Sequence, residues 1–130
     1  MRFTIDDIRN RERLEQMVKA EADAIFNSPE ARKNRSYDAI YASVQQGKVA
    51  ELWLIENEGY EEADKRWHDL KDVCGEYVEV KAYSINDSGS PFVQKDLKRL
   101  RTEGWNTSKW YMLFKYDYGV YTFLEKIQLR

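Results

Sequence analysis

At Lys65 the apolar residues of this chain change their period, and that change limits what the chain can fold into. Upstream, Ile8, Leu14, Met17, Val18, Ala22, Ile25 and Phe26 recur at mostly helical spacing, and so do Ile40, Tyr41, Val44, Val49, Leu52 and Trp53. Downstream the period drops to two: residues 65 to 71 and 77 to 85 read as strands joined through "DVCGE". "NDSGSP" is a loop and Val93 to Thr102 a short helix, while "KWYMLFKY" and "VYTFLEKI" are further strands separated by the turn-like "DYG". The order α, α, β, β, α, β, β predicts a mixed sheet with helices on its faces.

Local signals place the helix ends. Thr4 followed by Asp7 marks the start of the first helix. Ser28 with Pro29 opens a new turn, Ser36 caps the next helix, Gly47 is expected to break that helix in two, and Gly59 to end it.

The chain of 130 residues suits a single domain, and 42% apolar with 34% charged content is that of a folded protein. No apolar run approaches the roughly 18 to 20 residues of a membrane span, and the charged N-terminus has no signal-peptide core. Cys74 is the sole cysteine, which excludes an intrachain disulfide and a cysteine-based zinc site and suggests a reducing, cytoplasmic setting. Net charge is -2, against a whole-surface nucleic-acid binder. Yet residues 91 to 116 hold Lys95, Lys98, Arg99, Arg101, Lys109 and Lys115 against Asp96 and Glu103, a local excess of four positive charges.

Chemistry-bearing residues concentrate in "RWHDLKDVCGEYVEVKAYS", residues 66 to 84. Glu79 and Lys81 stand two apart on one strand and so point to the same face. Pairing Asp69 with Glu79 puts Lys71 opposite Tyr77 and leaves residues 72 to 76 as a five-residue loop, an ordinary length. Two adjacent carboxylates repel, and a divalent cation relieves the repulsion; an oxygen-only set suits Mg²⁺, with Mn²⁺ as a substitute. The bland reading is a solvated strand face whose charge pair is worth a few tenths of a kcal/mol.

The helix with "AELWLIE", the strand with "WHDL" and the strand with "VEVKAY" together resemble the PD-(D/E)XK nuclease superfamily. The resemblance covers roughly residues 47 to 116. It implies an α/β, restriction-endonuclease-like mixed β-sheet flanked by helices, with residues 1–46 as an N-terminal helical region and 47–130 as the nuclease core. Asp69 falls on the motif's first acid, Glu79 on its second, Lys81 on its lysine, and Glu51 on an additional helical glutamate. His68 stands where the motif carries proline. The implied activity is Mg²⁺-dependent hydrolysis of DNA phosphodiesters, with Asp69 and Glu79 as metal ligands, Lys81 acting on the reacting water or developing charge, and Glu51 auxiliary. Lys95, Lys98, Arg99 and Arg101 are then candidate phosphate contacts. A non-cleaving DNA-binding or assembly module and an RNA-directed nuclease are the alternatives. One site per chain suggests a homodimer for cutting both strands, with Leu14, Met17, Val18, Ile25 and Phe26 as the stripe for a partner helix.

Overall fold

The structure is a computed structural model and describes residues 1–65 and 68–130. It is mixed α/β: a six-stranded sheet with four helices. In chain order these are β1 (Arg2–Phe3), α1 (Arg11–Phe26), α2 (Pro29–Arg32), α3 (Tyr37–Asn57), β2 (Glu61–Glu62), β3 (Leu70–Lys71), β4 (Tyr77–Tyr83), α4 (Pro91–Thr102), β5 (Trp110–Asp117) and β6 (Val120–Gln128). The sheet order is β1-β6-β5-β4-β3-β2. Only β4 and β5 run parallel, with α4 as their crossover; the other pairs are antiparallel.

The helix expected to start at Thr4 begins instead at Arg11. Thr4 and Asp7 do form a reciprocal capping box, but around a single 3-10 turn over Ile5–Asp7. The chain is then extended at Ile8, and the Asn10 side chain caps α1 by accepting from the Arg13 N–H. Glu56, near the end of α3, accepts from the N–H groups of Arg9 and Asn10 at 2.8 and 2.9 Å, so the two helices are tied at this end.

Gly47 does not break α3, which runs without interruption from the Ser36 cap to Asn57. A mid-helix glycine costs about 1 kcal/mol. Burial of Ile40, Val44, Val49, Leu52 and Leu54 outweighs that cost. Gly59, at φ +75°, follows the end of the helix as expected.

Two apolar clusters sandwich the sheet. Val78, Val80 and Ala82 of β4 join Met112, Phe114 and the buried faces of α1 and α3. Tyr111 and Leu113 join Val93, Leu97 and Leu100 of α4, with Tyr83 packed against them. Leu14 and Val18 are buried in the first cluster, and Met17, Ile25 and Phe26 pack against it, so the stripe assigned to a partner helix is consumed within this chain.

The strand expected over residues 65 to 71 is observed only as Leu70–Lys71, and residues 66 and 67, including the tryptophan of "WHDL", lie outside the described residues. Among the described residues no helix is long and apolar enough to cross a membrane.

Candidate active site at the edge of β4

The β3–β4 register is the one read from the sequence: Lys71 pairs with Tyr77 and Leu70 with Val78. Asp72 closes the connecting loop by accepting from the N–H groups of Cys74 and Glu76, each at 2.9 Å. Among the described residues the β3–β4 backbone pairing comprises these two pairs. Side chains serve β4 beyond them. The Asp69 carboxylate accepts from Val80 N–H at 2.8 Å, and the Gln46 amide of α3 donates to the Ala82 carbonyl at 2.8 Å.

Asp69 is thereby set between two buried acids. Glu79 lies on one side, close enough for its carboxyl to hydrogen-bond Asp69, and Glu51 approaches from α3. Burial first, and the charge on Asp69 second, push the Glu79 carboxyl up to about 7, against Lys81 and a hydrogen bond from Ser108 that pull it down. The same two causes, in the same order, raise the Glu51 carboxyl well above the ordinary range, and Lys48 opposes them. Lys48 reaches Glu51 at 3.2 Å and Glu21 at 3.6 Å. Burial pushes its ammonium down, but Glu51, Glu21 and Asp69 outweigh it and hold the ammonium above its usual range.

Asp69, Glu51 and Lys81 line a cleft of about 420 Å³, with Glu21, Gln46 and Gly47 on its helical wall. The absent side chain of Gly47 keeps this wall low: a Cβ there would stand 3.9 Å from Glu51 Oε2.

Of the acid and lysine positions expected from the sequence, Asp69, Glu51 and Lys81 line this cleft, and Glu79 is buried beside it, interacting with Asp69 and Lys81. The basic residues of α4 divide. The helix covers the sheet face that carries Glu79 and Lys81, because their β5 partners Tyr111 and Leu113 pack under it, and Tyr83 and Tyr111 both donate to Asp96 of α4 at 2.5 and 3.1 Å. Arg99 is engaged by Glu103 at 3.3 Å and Arg101 by the Gln128 carbonyl at 2.8 Å, while Lys95 and Lys98 are exposed.

Three participants were not picked out in the sequence. His68 was assigned no role, yet it is buried with Nδ1 2.7 Å from Ser108 Oγ, and Ser108 donates to Glu79 Oε1 at 3.1 Å. Lys48 is the third; its place three residues before Glu51 on a helix was a readable signal. Nothing local in "NTSKW" marks Ser108, because its link to Glu79 spans 29 residues.

The donor set fits a hard divalent cation. Asp69 acts electrostatically on both Glu51 and Glu79, whose carboxyls are raised by burial first and by its charge second, and carboxylate oxygens are the donors that Mg²⁺ prefers. Among the described residues, one trio of possible ligand atoms lies within 4.8 Å of one another, and it is elsewhere: Asp72, Cys74 and Glu76 of the β3–β4 loop. Its Asp72 oxygen is already engaged in closing that loop. Comparison with known protein families, with curated proteins and with solved structures finds no match.

Proposed function

We propose that this chain is a metal-dependent DNA endonuclease with the restriction-endonuclease-like fold of the PD-(D/E)XK type. The observation that carries the reading is the electrostatic coupling of Asp69 to the buried carboxyls of Glu79 and Glu51, with Lys81 on the same face of β4 as Glu79. The order of elements around it, a helix bearing Glu51, a hairpin bearing the two acids and a crossover helix to a parallel strand, supports the same fold.

Asp69 and Glu79 would hold Mg²⁺, with Mn²⁺ as a substitute. When bound, such a cation lowers the pKa of water and polarises a phosphoryl oxygen. Asp69 is held for that role by its hydrogen bond to Val80. Lys81 supplies a positive charge beside Glu79 where a reacting water and developing negative charge would sit. Glu51, neutralised by Lys48, is the auxiliary acid. Lys95 and Lys98, exposed on α4, are candidate phosphate contacts; Arg99 and Arg101 would exchange their present partners to serve as such.

The test is cleavage of plasmid DNA with Mg²⁺ or Mn²⁺ and its loss in EDTA. Lys81→Ala should lower the rate about 10²- to 10³-fold and leave Mn²⁺ binding by titration calorimetry intact. Asp69→Asn and Glu79→Gln should lose Mn²⁺ affinity as well. Full activity in EDTA overturns the reading, and DNA binding without cleavage points to the non-cleaving module. Cleavage confined to RNA substrates points to the RNA-directed nuclease. Light scattering with and without DNA reads the proposed homodimer: monomer in both, with nicked circles as sole product, refutes it.

A further inference from the structure

Two buried residues beside the acids have no part in the proposed chemistry, and their hydrogen bonds run in one direction. When Glu79 is ionised, as a cation would require, the Ser108 hydroxyl donates its one proton to Glu79 Oε1 at 3.1 Å. Its oxygen must then accept from His68, whose Nδ1 lies 2.7 Å away. That fixes the Nδ1–H tautomer and leaves Nε2 to accept from the Thr107 hydroxyl at 3.0 Å. The imidazole is further held by stacking on Tyr77, with ring centroids 4.1 Å apart and planes inclined by 14°. Ser108 is anchored through its backbone as well: its N–H donates to Asn106 Oδ1 at 2.8 Å, and its carbonyl accepts from Arg130.

A buried His–Ser pair that served packing alone would be complete in itself. This chain instead starts at an exposed threonine and ends on the carboxylate that the proposed reaction needs. We propose that His68 and Ser108 are positioning residues that fix the orientation of the Glu79 carboxylate for the cation. The proposal rests on the metal-dependent reading above. Glutamate has three side-chain torsions, and a bond that holds Oε1 removes the freedom of the last of them. Outer partners of this kind are worth about 10- to 100-fold in metal affinity.

Mn²⁺ titration calorimetry on the metal-free protein tests this, with melting temperatures recorded alongside. His68→Phe keeps a ring to stack on Tyr77 and removes both nitrogens; it should weaken Mn²⁺ binding about 10-fold. Ser108→Ala should weaken it by at least as much, and the double variant no further than Ser108→Ala alone, because His68 acts through Ser108. Unchanged affinity in His68→Phe, or losses that multiply in the double variant, overturns the proposal. If Ser108→Ala does not fold, Ser108→Thr, which keeps the hydroxyl, should bind Mn²⁺ as the wild type does while His68→Phe does not; equal affinity in the two overturns it. Wild-type protein that takes up no Mn²⁺ removes the functional reading and this proposal together. Wild-type binding that Asp69→Asn abolishes and His68→Phe leaves intact removes this proposal alone.

Discussion

Two antiparallel pairs in this sheet are closed by glycine-containing turns, and they behave in opposite ways. From the β5–β6 turn the ladder runs for eight residue pairs with one irregularity, between Leu113 and Phe114. Tyr118 and Gly119, at φ +46° and +86°, form a two-residue turn whose twist matches that of the strands. Among the described residues the β3–β4 ladder has two pairs, and a carboxylate and an amide serve β4 beyond them. The first pair builds the core; beside the second stand the acids of the candidate site. There side chains satisfy backbone groups of the strand, and they include the first acid of that site.

Substitutions on the two sides of this contrast should differ in sign as well as size. The largest loss is expected in the hairpin: Phe114 is fully buried between Phe3 and Phe123, and Phe114→Ala should cost about 3–5 kcal/mol in urea unfolding. Next is Lys48→Met, which leaves Glu51 buried beside Asp69 without its cation and should cost about 3 kcal/mol. Adding Glu51→Gln to Lys48→Met should recover most of that loss.

Glu79→Gln should do the reverse and stabilise the metal-free protein at pH 8. The folded-state pKa of Glu79, about 7, lies above the ordinary 4.5. The protonated form is therefore the one the fold favours. Its stabilisation is fully present below pH 4.5 and is lost as pH rises through 7, roughly 3 kcal/mol in all. Wild-type and Gln variant melting curves should diverge between pH 5 and pH 8, with the wild type falling. If the two run parallel, burial beside Asp69 does not raise Glu79. The smallest effect is Gly119→Ala: no atom lies within 4 Å of the added Cβ, so only the left-handed backbone resists it, at about 1–2 kcal/mol.

The long hairpin was legible because its signals are local: alternation over eight residues and a turn that needs a left-handed residue. The β3–β4 register was legible for a related reason, since a short loop fixes which residues face each other, and Lys71 does face Tyr77. Length was not. Two-residue strands such as β1, β2 and β3 carry too few residues to show a period. The start of α1 was misplaced because Thr4 and Asp7 form the same reciprocal cap on one 3-10 turn as they would on a helix. Gly47 was read by its propensity, and packing of α3 overrode it. Ser108 and His68 meet across 40 residues of chain, and no local pattern encodes that meeting.

The outermost strands β1 and β2, two residues each, also bear on how this protein behaves in a crowd. An exposed strand edge is a template on which another chain can add, and long apolar edges seed fibres. Here one border of the sheet offers Arg2 and Phe3, and the other Glu61 and Glu62, both exposed, with Glu62 3.5 Å from Arg13. Neither is long enough to recruit an extended segment, and the acidic one repels a second copy of itself. Farther along β4, the Val80 N–H and the Ala82 carbonyl are taken up by Asp69 and Gln46. The carboxylate that would serve catalysis thus also guards the sheet against edge-to-edge aggregation.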